Sequence, residues 1–83
     1  MRVLYFAWIR QKTGTSEEEF ALPSDVSTIT DLVAVLYARG GGYAEAFADP
    51  IRVRAALNQE YARFDAKLGD SDEVAFFPPV TGG

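Results

Sequence analysis

The sequence predicts an α+β domain in which a sheet of short strands packs on one main helix. Residues 3–9 and 73–77 are rich in branched and aromatic side chains, the composition of strands. Between them, residues 28–39 carry the signals of a capped amphipathic helix. The order reads strand, strand, helix, then two or three more strands, and one such helix covers only one face of a sheet.

The 83 residues include no Cys and no His, and 12 acidic against 8 basic side chains leave a net charge of −4. A chain of this length forms one small domain that buries about 60% of its unfolded surface. Without Cys there is no disulfide, thiolate nucleophile or thiolate zinc site, and without His the usual neutral-pH base and metal ligand are missing. The acidic balance and scattered Lys and Arg argue against nucleic acid as a partner. The apolar run after Arg2 is too short for a signal peptide or a membrane span, so no membrane partner and a cytoplasmic location are expected.

Residues 3–9 are the expected first strand, and Thr13, Gly14 and Thr15 a turn. Residues 17–22 pair back as a second strand ended by Pro23; their three glutamates form a solvated, guarded edge. Thr28 is the N-cap of the helix, with Asp31 at N3 in a capping-box arrangement. Ile29, Leu32, Val33 and Leu36 make one apolar stripe. Arg39 lies in the last turn, and Gly40, Gly41 and Gly42 stop the helix as a C-cap and flexible connector. Phosphate loops place glycines before a helix, so this run is not read as one.

A short helical turn over residues 43–48 precedes Asp49 and Pro50. Residues 52–57 are the third strand, residues 58–60 a hairpin turn, and residues 61–64 a short strand. Residues 67–73 are a polar turn opening the last strand, 73–77. Asp70, Asp72 and Glu73 lack the ligand spacing of a calcium loop, and no metal site is predicted.

Strand parity exposes an inconsistency. If one sheet face meets water, one parity of each strand is polar. Yet Val3, Tyr5, Ala7 and Ile9 alternate with equally apolar Leu4, Phe6 and Trp8, and Val74 and Phe76 alternate with Ala75 and Phe77. Either flanking loops cover the second face, or it is an apolar patch for a partner protein; the cost of wetting Phe6, Trp8 and Phe77 favours the partner.

Residues 1–77 are thus the folded domain, and residues 78–83 form a tail. Pro78 and Pro79 end the strand and stiffen the segment, and six extended residues span about 18–20 Å, enough to enter a cleft in another protein. Gly82 and Gly83 are the thinnest chain possible and leave a bare α-carboxylate. Glycines are common at frayed ends, but a proline stiffener placed directly after the last strand gives this tail a task. With no Cys or His, the Gly83 carboxylate is the candidate reactive group, and adenylation by ATP would make it an acyl donor.

Residues 72–83, ending Phe77-Pro78-Pro79-Val80-Thr81-Gly82-Gly83, closely resemble the end of the molybdopterin synthase small-subunit family. Residues 3–10 and 55–60 resemble the same family. The resemblance implies a ubiquitin-like β-grasp fold, with a mixed four- to five-stranded sheet packed on one main helix. It implies a sulfur carrier with no side-chain catalytic machinery and no cofactor of its own. An adenylating enzyme of the ubiquitin-activating type would use ATP to adenylate Gly83, and a sulfur donor would convert the end to a thiocarboxylate. Pro78, Pro79, Val80, Thr81 and Gly82 would insert into the large subunit, which supplies the substrate pocket and catalytic lysines. Sulfur would pass to cyclic pyranopterin monophosphate within a heterotetramer holding two of each subunit.

The resemblance also places the apolar docking surface at Phe6, Tyr61 and Phe77, with Arg10 as a polar contact; Tyr61 stands where an aliphatic residue is usual. The same activation chemistry also fits a carrier for thiazole or thionucleoside synthesis, or a modifier joined to lysines. A binding module with an incidental Gly-Gly end is a third class.

Overall fold

The computed structural model describes residues 1–79. β1 (Arg2–Tyr5) runs antiparallel to β2 (Glu17–Glu19), and β3 (Arg54–Leu57) runs antiparallel to β4 (Glu60–Ala62). The last strand, β5 (Glu73–Phe77), lies between the two pairs, parallel to β1 and antiparallel to β3. The result is one mixed five-stranded sheet of order β2-β1-β5-β3-β4. Its three helices are α1 (Ala7–Thr13), α2 (Ile29–Ala38) and α3 (Gly41–Ala46), with α2 the longest.

The first strand is shorter than the sequence suggests. After Tyr5 the backbone breaks at Phe6 and enters α1, so Ala7, Trp8 and Ile9 are helical. Ile9 reaches the core from the helix, and Trp8 packs against the core edge without joining the second sheet face. Gly14 closes α1 in the left-handed region at φ 80°, with its N–H donating to the Arg10 carbonyl at 2.9 Å.

The cap on α2 matches the sequence. The Asp31 N–H donates to Thr28 Oγ1 at 3.2 Å, and the Thr28 N–H donates to Asp31 Oδ2 at 3.2 Å. Two more N–H groups at that end are satisfied from afar: Ile29 donates to the Ala66 carbonyl at 3.1 Å and Thr30 to the Phe64 carbonyl at 2.8 Å. Ile29, Leu32 and Leu36 are fully buried, whereas Val33 is half-buried at the margin of the stripe.

The glycine run departs from the expected flexible connector. α2 ends before it, but Gly41 and Gly42 form the first turn of α3. A Cβ on Gly42 would overlap the main-chain oxygen of Lys12, so the missing side chain lets α3 lie against α1. The shorter α1 and α3 therefore join the main helix α2 on the inner side of the sheet.

Val3, Tyr5, Ala55, Val74 and Phe76 face Ile9, Ile29, Leu32, Leu36, Ala46 and Phe47 in one core. Phe47 meets Phe76 edge-on, with ring centres 5.0 Å apart. Of the three glutamates in β2, Glu17 and Glu19 flank Arg2 at the exposed edge. Glu18 is not solvated in the same way. It accepts from Tyr5 Oη at 3.0 Å and Tyr43 Oη at 2.9 Å, and pairs with Arg39 at 2.9 Å. Burial, then the Glu18 charge, push the Tyr5 phenol far above its ordinary range.

Candidate functional site

With the helices on the inner face, every second strand residue points the other way. Register brings Leu4 beside Ala75, Ala75 beside Ala56, and Ala56 beside Tyr61. The two alanines make a low floor, and larger side chains rise around it. A groove of about 700 Å³ results, lined by Leu4, Phe6, Ala56, Gln59, Tyr61, Glu73, Ala75, Phe77 and Pro78. The surplus apolar parity of β1 and β5 is therefore a real open face.

Three of the residues singled out from the sequence meet there. Phe6 is 48% exposed and Tyr61 78% exposed, which is costly for aromatic rings. Tyr61 and Phe77 lie 5.6 Å apart between ring centres, tilted by 57°. Phe6 is aimed by the break in the chain. Its N–H donates to the Phe76 carbonyl at 3.0 Å, and its own carbonyl accepts from Ile9 and Arg10 in the first turn of α1. As N-cap of α1 it makes no side-chain cap bond.

Arg10 is not among the groove-lining residues. It sits on α1 one turn beyond Phe6, exposed beside Gln11, Gly14, Thr15 and Ser16. Pro78 lines the groove directly and Pro79 is half-buried after it, so the tail starts at the groove's own edge. Val80, Thr81, Gly82 and Gly83 lie outside the described residues.

Sequence reasoning missed Ala56, Gln59 and Glu73 as lining residues. The signal for Ala56 is only visible once β3 is registered against β5, because an alanine carries no apolar excess by itself. Gln59 is placed by the hairpin turn, where Asn58 and Gln59 take positive φ of 51° and 71°, as a two-residue hairpin requires. Asn58 then ties the hairpin to the start of β5: its Oδ1 accepts from the Glu73 N–H at 3.0 Å, and its Nδ2 donates to Asp72 Oδ1 at 3.1 Å. Asp72 also accepts from the Gly69 N–H at 2.8 Å, so this carboxylate serves the turn. Its contacts with Asn58 and Gly69 hold it below the usual carboxylate range. Among the described residues, no set of three His, Cys, Asp or Glu side chains is placed to hold a metal ion.

A mixed sheet wrapped on one side around a main helix, with an apolar outer face that ends at Pro78, defines a ubiquitin-like β-grasp domain. The chain belongs to the ThiS family, whose profile matches residues 3–83. It is similar to the molybdopterin synthase sulfur carrier subunit of Escherichia coli (strain K12), at 43% identity over 100% of this chain and 99% of that one. Among solved structures it resembles a putative molybdopterin converting factor, subunit 1, from Pyrococcus furiosus, with a TM-score of 0.76 and 35% identity over 95% of each chain. The fold is also that of a chain in the complex of subunits 1 and 2 of molybdopterin-converting factor from Helicobacter pylori, with a TM-score of 0.63 and 24% identity over 99% of this chain and 96% of that one. No helix among the described residues is long and apolar enough to cross a membrane.

Proposed function

We propose that this chain is the sulfur-carrying small subunit of molybdopterin synthase. The observation that carries the reading is the groove of Phe6, Tyr61 and Phe77 at the root of the Pro78-Pro79 arm, in a chain similar over its whole length to such subunits. A groove that opens where the arm departs lets docking and aiming be one event: the body seats, and the arm enters a neighbouring cleft.

The Gly83 carboxylate attacks the α-phosphate of ATP on an adenylating enzyme, releasing pyrophosphate and leaving an acyl-adenylate. A sulfur donor displaces AMP and leaves a thiocarboxylate. In the large subunit that sulfur bonds to cyclic pyranopterin monophosphate, and water then cleaves the acyl–sulfur bond, leaving the sulfur on the substrate and returning the Gly83 carboxylate. No side chain of this protein takes part in the bond changes. The domain folds, docks and aims, and the large subunit supplies the substrate pocket.

The tail reading is tested by changing its length. Deleting Gly83, or adding one residue after it, is expected to abolish sulfur transfer with the thermal midpoint unchanged. Full transfer by either variant would overturn the mechanism.

A further inference from the structure

Beside the root of the arm lies a corner that the groove does not include. Residues Pro50–Arg52 form a single 3-10 turn, and Arg54 follows in β3 opposite Phe77, one residue before Pro78. The Arg52 guanidinium stacks 4.9 Å from the centre of the Trp8 ring on α1, the helix that starts directly after Phe6. Arg54 Nη1 donates to the carbonyls of Ile51 at 3.0 Å and Val53 at 3.3 Å. Ile51 itself is 76% exposed.

Neither arginine makes an ion pair among the described residues, although the chain carries a net charge of −4. Among the described residues Arg2, Lys12, Arg39 and Arg63 pair with carboxylates, whereas Arg10 and Lys67 do not; what sets Arg52 and Arg54 apart is that other contacts hold them. The nearby carboxylate is committed elsewhere: Asp49 Oδ1 accepts from the Ile51 N–H at 3.1 Å and caps the turn. Arg52 and Arg54 are thus held by a ring and by backbone oxygens, contacts that fix the guanidinium without neutralising it. A pre-placed arginine loses less freedom on meeting a carboxylate than a loose one. An exposed apolar residue between two such arginines has the composition of a protein-binding surface, and two arginines on an acidic chain are too few for nucleic acid.

Building on the functional reading above, we infer that Ile51, Arg52 and Arg54 form a second docking element that grips acidic side chains at the rim of the large-subunit cleft receiving the arm. The corner is continuous with the groove through the Arg54–Phe77 pair. It gives the arm-bearing end of an acidic protein a local positive charge, which orients that end toward an acidic rim during approach.

The test is the binding kinetics of the full chain with the large subunit at low and high salt. The double variant Arg52→Glu/Arg54→Glu is expected to bind roughly tenfold more weakly at low salt, mainly through a slower association rate, with the gap closing at high salt. Arg52→Lys/Arg54→Lys is expected to keep the fast, salt-dependent association but to dissociate faster, because lysine keeps the charge and not the fixed guanidinium. If the glutamate pair lowers the thermal midpoint, Arg52→Gln/Arg54→Gln supplies the same readout at smaller amplitude. A folded double variant with wild-type affinity and salt dependence, or with tighter binding, would overturn the inference while leaving the functional reading intact. Failure of the unaltered chain to bind the large subunit would remove the functional reading, and this inference with it.

Discussion

Replacing Gly42 by alanine sets two effects against each other, and the structure decides between them. Alanine stabilises a helical position by about 1 kcal/mol relative to glycine, and Gly42 lies in the first turn of α3. Against that, the added Cβ would overlap the Lys12 carbonyl of α1. The obstacle is backbone, so relief requires α1 and α3 to separate, loosening Ile9 and Ala46 in the core. Forced overpacking costs about 1–3 kcal/mol, and a deep overlap with rigid backbone belongs at the upper end. The expected net effect is a loss of ~2 kcal/mol, or a fall of about 8–16 °C in thermal midpoint for a domain this small. Urea titration followed by circular dichroism reads it, with Ala34→Gly on the exposed side of α2 measuring the propensity effect alone, at about 1 kcal/mol of destabilisation. A Gly42→Ala protein as stable as wild type would refute the close approach of α1 and α3.

Two further outcomes are expected. Phe77→Ala removes a ring from the groove wall beside Tyr61, and is expected to weaken binding of the large subunit by about 1–3 kcal/mol while the domain stays folded; unchanged affinity in a calorimetric titration would contradict the docking role. Stability is also expected to fall in alkali because of Tyr5. Its folded pKa is raised, so the neutral phenol stabilises the fold fully below the unfolded value of about 10, and that stabilisation is lost as pH rises from there toward the folded value. Urea midpoints across this range are expected to decline in the wild type and to decline less in Tyr5→Phe; parallel curves would contradict the assignment.

Some of this architecture is legible in the residues and some is not. The α2 cap is visible because Thr28 and Asp31 act locally, through bonds three residues apart. The open apolar face is visible in β5, where both parities are apolar and only one can fill the core. The start of α1 is hidden, because residues 3–9 are apolar throughout and a short apolar run suits strand or helix equally. Its far end held a readable cue: Arg10 and Lys12 in the last turn followed by Gly14. The role of Gly42 is set by a neighbour thirty residues away, and no local pattern reports it. Glu18 is likewise indistinguishable in sequence from Glu17 and Glu19, and only the approach of Tyr5, Tyr43 and Arg39 separates them.

The central claim, that the reactive group is the Gly83 carboxylate and not a side chain, is tested most directly by intact-mass measurement of this chain isolated from its own host. The account predicts a mass increase equal to one oxygen replaced by sulfur, localised by fragmentation to Gly83. A carrier that stays unmodified while molybdopterin synthesis is active, or the added sulfur localised anywhere other than Gly83, would contradict it.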